Sequence, residues 1–421
     1  MNSSIPQIAE APADAADSSS RPAVLRSLIC NRVRRICVNV VGSRLQAIVL
    51  TGSLARDEAT FARTARKYKV LGDAEFMVVL KKGQTLPKAA SLRALREQME
   101  EDLRRQGILC KVDLSAVSPD YFRRLAPHIL SYELKHCGRV IWGDEDVLRS
   151  IPEISATDLS REDAVRLLCN RLVELLECAP EIFNGRNSIS VKLHYKLVKL
   201  YLDMAASLLV FLRCYAPTYR ERAQILTRLA IQHAGTACDP IEIVPFAELV
   251  ADCTHWKLAK HDGFEAGPDV SWCEAVQCAH SLWRWELIHL TGSPESIADE
   301  ELFQAWEHSQ PRQANLRGWA RVFRLCGWRR GRRQWMRWLR LSWKTGPRFG
   351  VYEAALELLF HASSLAGGTL NQTELGADFC DLHRLLPVAG QREGNRESNG
   401  AHALAATIIS NYQEFLTGTR T

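Results

Sequence analysis

The sequence contains no apolar run approaching the ~18 residues of a membrane-spanning helix, so no segment is expected to cross a bilayer. It has no Cys-x-x-Cys pair. Its thirteen cysteines are scattered from Cys30 to Cys380, which argues against a disulfide scaffold and fits a reducing cytoplasm. The first residues lack the basic start and apolar core of a signal peptide, and 1–21, rich in Ser, Ala and Pro, reads as a disordered leader. No internal repeat is present. Asp and Glu are missing altogether from 317–348, a stretch holding ten arginines and Lys344.

With 421 residues, the chain exceeds what one hydrophobic core usually serves, and two or three domains are expected. The formal net charge of +6 becomes −5 once the eleven cations of 317–348 are set aside, so attraction to anionic partners should be local.

Helical spacing of Val24, Leu25, Leu28, Ile29, Val33 and Ile36 predicts a helix over 22–41, followed by a short strand over 46–50 that stops at Thr51-Gly52-Ser53. Further strands are expected at 75–80, 108–117 and 139–142, with an amphipathic helix over 89–106. This alternation gives an α/β domain with a small mixed sheet over 22–150. From about residue 160 the pattern is helical, with candidates at 161–178, 191–215, 219–233, 270–290 and 301–308, so 151–389 reads as a mainly α-helical domain. A polar linker is expected at 390–400 and a last helical segment over 401–421.

The residues that carry chemistry lie in the first domain. A strand ending in Gly52-Ser53 lets backbone approach a phosphate, since glycine presents no side chain and the serine hydroxyl and following N–H groups can donate. Asp73 and Glu75, two apart on a strand, share one face by the period-2 pleat and suit a shared metal ion. Asp113 stands between Val112 and Leu114, an apolar setting in which a carboxylate is costly unless paired or bound to a cation. Singly, each feature is common; their order is informative.

A glycine turn followed by three strand carboxylates resembles the nucleotidyltransferase superfamily, typified by DNA polymerase beta and the kanamycin nucleotidyltransferases, over about residues 45–145. The resemblance implies that Gly52 and Ser53 bind the triphosphate of a nucleotide and that Asp73, Glu75 and Asp113 hold magnesium, with Asp113 also activating an acceptor hydroxyl. It implies an enzyme that moves a nucleoside monophosphate onto that acceptor, whose identity the nucleotide half does not specify. Two departures stand out. Asp57 occupies the place of the family's second glycine, and nineteen residues, 54–72, separate Ser53 from Asp73. That insert holds Arg56, Arg63, Arg66, Lys67 and Lys69, and reads either as a cover for the nucleotide or an anionic acceptor, or as a solvated loop.

Outside this region, Lys192, Lys196 and Lys199 line one helix face, solvated or, as the resemblance implies for Lys196, reaching the triphosphate. Pro217 marks a helix stop before Tyr219 and Arg220, read as a structural turn. Cys253, His255, His261, Cys273, Cys278 and His280 could serve zinc, but none forms a tightly spaced pair. The five tryptophans within 317–348 give that basic stretch three readings: an anionic membrane surface, with peripheral membrane localisation, or a protein partner; nucleic acid; or plain packing with arginines in water. Two alternatives to the enzyme remain open, a non-catalytic nucleotide-binding protein of the same fold and an RNA-modifying transferase.

Overall fold

The computed structural model describes residues 21–64, 67–184, 189–232, 240–259, 267–365, 382–388 and 400–415. The expected leader (apart from Arg21), the 390–399 part of the expected linker, Arg66 and His261 lie outside them. Two compact units divide at about residue 152: the described residues up to Leu125 together with Glu133–Pro152 form the first, and Ala126–Tyr132 with the described residues from Glu153 onward form the second.

In the first unit, helix α1 (Arg21–Val41) buries Leu25, Ile29, Val33, Ile36 and Val41, mostly one turn apart, as an amphipathic helix on a core must. Strands β1 (Leu45–Thr51), β2 (Phe61–Thr64), β3 (Lys67–Leu80), β4 (Ile108–Val117) and β5 (Arg139–Gly143) make one mixed sheet. β3 organises it. Its first half pairs antiparallel with β2, its second half antiparallel with β1, and β4 runs parallel to it from Tyr68 to Val79. The crossover to β4 is helix α3 (Ala89–Arg105), which buries Leu95, Met99 and Leu103 against Ala74, Phe76, Val112 and Leu114 in the same core as α1. Glu100 of α3 accepts the Val112 N–H at 2.9 Å, satisfying a backbone donor of β4.

The insert is therefore not a loop. After the four-residue helical turn α2 (Gly52–Ala55), it folds as the β2 hairpin and the first half of β3, which starts eight residues before the predicted strand. Arg63, Lys67 and Lys69 are exposed on it, whereas Ala62 and Val70 are buried.

The second unit is helical: α6 (Arg161–Leu175), α7 (Ala179–Phe183), α8 (Val191–Phe211), α9 (Tyr219–Gln232), α10 (Ile243–Leu258), α11 (Trp272–Thr291), α12 (Asp299–His308), α13 (Arg312–Ser342), α14 (Pro347–Leu365) and α15 (Gly400–Phe415), with α4 (Asp120–Arg123) and α5 (Ile129–Cys137) preceding them in the chain. From Leu200 onward every residue of α8 is buried, which makes it the central helix. Arg171 of α6 reaches it, donating from Nε to Asp203 at 2.6 Å in a buried ion pair.

Helix α13 is interrupted. At Gly327 the backbone has φ 71° and ψ 166°, a region only glycine occupies readily. Trp319 and Trp338 flank that residue with ring centroids 6.2 Å apart. A straight helix would hold them about 28 Å apart at 1.5 Å per residue, so the chain folds back on itself at Gly327. Among the described residues no helix is long and apolar enough to cross a membrane.

Candidate functional site

β1 ends at Thr51, whose Cα partner across the sheet is Glu75, and the partner of Glu75 on β4 is Asp113. Three neighbouring strands thus bring the glycine turn, Glu75 and Asp113 onto consecutive rungs. In-register neighbours face the same side of a sheet, and so do residues two apart on one strand, so Asp73, opposite Lys111, joins Glu75 and Asp113 on one face. The other face carries Ala74, Phe76, Val112 and Leu114 into the core. Met77 and Val79 continue the carboxylate face but are buried, so it opens toward Asp73.

The alternation corrects the reading of Asp113. Its apolar neighbours point to the opposite face, and the Asp113 side chain is 47% exposed, with Arg96 Nη1 at 3.8 Å. No apolar burial needs a cation to offset it.

Gly52 is required twice. Its φ is +68°, and a Cβ there would stand 2.7 Å from Cδ and Oε1 of Glu75. The α2 turn that follows closes with the Arg56 N–H donating to Gly52 O at 3.3 Å, and the Glu58 N–H donates to Ser53 O at 2.8 Å. Asp57 then adopts φ +60°, a left-handed conformation that glycine takes up most easily. Its carboxylate pairs with Arg26 and with Arg139, the latter at 2.5 Å.

Arg56 does not reach out over the site. Its side chain is buried on Glu58, 3.3 Å from Nε, and on Glu133. This network was not read from the sequence, because Glu133 lies 77 residues away. Lys196 is likewise engaged within its own unit, 3.4 Å from Glu174 and 3.2 Å from Glu177. Lys192, more than half exposed, approaches Glu177 at 3.7 Å. Lys199 stands over the Tyr195 ring, and burial, reinforced by Arg171, pushes its ammonium down to about 8.

Magnesium prefers hard carboxylate oxygens, and the donor set and its shared face suit it. Glu75 lies beside Gly52 and Asp113 3.8 Å from Arg96, and among the described residues no three acidic, histidine or cysteine side chains converge on a metal position. Of the zinc candidates, Cys253 and Cys278 carry thiols pushed up to about 12 by burial, and His280 bonds Asp299 at 2.6 Å.

Comparison with known proteins adds little. Neither a protein-family model nor a curated protein matches the chain. A solved structure that it resembles is a spectinomycin adenyltransferase, AAD(9), from Enterococcus faecialis, with ATP and spectinomycin: 12% identity, 62% of this chain and 97% of that one covered, TM-score 0.32. A likeness that slight assigns neither a fold nor a residue.

Elsewhere the sequence readings meet simple packing. Tyr219 is buried with the Arg222 guanidinium 4.6 Å from its ring centre, and Thr218 and Glu221 exchange hydrogen bonds that start α9, a structural turn. Trp319 and Trp338 are buried, whereas Trp335 and Trp343 are exposed.

Proposed function

We propose that the sheet-bearing unit is a nucleotidyltransferase that moves a nucleoside monophosphate from a nucleoside triphosphate to an acceptor hydroxyl and releases pyrophosphate. The register Thr51–Glu75–Asp113 carries this reading, since it sets the glycine turn beside two carboxylates, with a third, Asp73, on the same face.

In this reading Gly52 and Ser53 receive the triphosphate, whose oxygens take up the N–H groups that open the α2 turn. Asp73, Glu75 and Asp113 would hold magnesium, which when bound neutralises charge on the phosphates and lowers the acceptor's pKa. Asp113, the half-exposed carboxylate, takes the acceptor proton as the acceptor oxygen bonds to the α-phosphorus and the bond to pyrophosphate breaks.

A second reading, a nucleotide-binding protein without turnover, rests on one observation: among the described residues no three acidic, histidine or cysteine side chains converge on a metal position. Transfer of α-phosphate label from each of the four nucleoside triphosphates into cell extract separates the two. Label transfer by the parent and none by Asp73→Ala supports the enzyme. Nucleotide binding without transfer supports the second reading, and an Asp73→Ala variant as active as the parent sinks the first.

A further inference from the structure

Fourteen large hydrophobic side chains are exposed among the described residues, and six of them lie within 316–343: Leu316, Leu325, Trp335, Met336, Leu339 and Trp343. The last four fall within nine residues. At 100° per residue, Trp335, Leu339 and Met336 on the second half of α13 and Trp343, its helical C-cap, occupy one sector of about 100°, with Arg340 at its border. The opposite side is fastened down: Trp338 Nε1 donates to Pro387 O at 2.7 Å, and Arg337 donates to Arg384 O at 2.6 Å and Leu386 O at 2.7 Å. Trp319 Nε1 donates to Thr345 O at 2.7 Å, anchoring the end of the hairpin. The exposed apolar sector is thus held outward by its own unit, and it is not a frayed end.

Two tryptophans with a methionine and a leucine between them form an apolar stripe, and the sequence stretch 317–348 that contains it has eleven cations and no carboxylate. Base stacking and phosphate pairing use aromatic rings and arginines but leave Met336 and Leu339 exposed to no purpose. Insertion of aliphatic and indole groups at headgroup depth, with Arg340 at the border pairing a lipid phosphate, uses the whole stripe. We propose that the second half of α13 docks the protein on an anionic lipid bilayer, lying in the interface with Trp335, Met336, Leu339 and Trp343 inserted.

The test is flotation of the full chain with vesicles of phosphatidylcholine alone and of phosphatidylcholine with 30% phosphatidylglycerol. Binding to the anionic vesicles, with a blue shift of tryptophan emission, is expected, and weak binding to the neutral ones. Trp335→Ser with Trp343→Ser, and separately Met336→Glu with Leu339→Glu, should each reduce anionic-vesicle binding by about tenfold or more. Because all four side chains are exposed, the variants should keep the parent's far-ultraviolet circular dichroism and melting temperature. Equal binding by parent and variants would show attraction by arginine charge alone and overturn the proposal. So would equal binding to neutral vesicles, RNA binding that the tryptophan variants lose without any vesicle binding, or a parent dimer that the same variants dissociate.

Discussion

Arg56 and Glu133, seventy-seven residues apart in the chain, form a part-buried ion pair that fixes the segment following the glycine turn. Glu58, 4% exposed, shares the guanidinium. Removing it strands carboxylates away from water, which typically costs about 3–5 kcal/mol. Arg56→Ala should therefore lower stability by about 3 kcal/mol, seen as a shift in the urea midpoint. Arg56→Lys, keeping the charge but losing the planar fork, should fall between. A variant as stable as the parent but weaker in nucleotide binding would show Arg56 to be a ligand contact instead.

Gly52→Ala should be more damaging to activity than to the fold. The left-handed φ costs an alanine about 1–2 kcal/mol, and the new Cβ displaces the Glu75 carboxylate. On the proposed function, pyrophosphate release should fall at least ~100-fold, in keeping with a lost preorganised contact. Gly52→Ala with parental turnover removes the turn from the mechanism.

Asp57 separates backbone from charge. An exposed ion pair contributes about 0–1 kcal/mol, comparable to what glycine recovers in the left-handed region, so Asp57→Gly should be close to neutral in urea unfolding. Asp57→Ala forfeits both and should lose about 1–2 kcal/mol. Equal losses for the two variants would mean that the pairs with Arg26 and Arg139 dominate.

The α/β order and the shared face of Asp73 and Glu75 were legible in the sequence because they depend on periods of 3.6 and 2, which are local, whereas Asp113 joins that face through a register between distant strands. Arg56 was misread because its partner is distant. The hairpin was misread because Lys67, Tyr68 and Lys69 look like loop residues, although alternation resumes at Val70 and Ala74. The setting of Asp113 was misjudged by counting neighbours along the chain instead of across the pleat. Helix α10 was passed over because Pro245 sits in its first turn, where a missing N–H costs little.

Glu286 on α11 should make stability depend on pH. It is fully buried, and burial pushes its carboxyl up to about 8, with Ser207 offsetting only part. Between about pH 4.5 and 8 the unfolded chain has released this proton and the folded one has kept it, so stability is greatest below that window and falls as pH rises through it. Glu353, raised to about 7 by burial among Glu307, Glu357 and Glu300, slopes the same way, so the comparison must be between parent and variant. Glu286→Gln should flatten the profile, gaining on the order of a few kcal/mol relative to the parent at pH 8, measured by urea unfolding at pH 5 and 8. Parallel profiles would place the Glu286 proton elsewhere.

The hairpin also limits how the molecule can be shortened. Because Tyr68 and Lys69 pair with Ile108 and Leu109, the residues between Ser53 and Asp73 serve the sheet on two sides at once. Trimming them to bring turn and carboxylates nearer in sequence would leave the start of β4 with bare backbone, a sticky edge open to other chains. A miniaturised version should therefore precipitate unless 108–110 is trimmed in step.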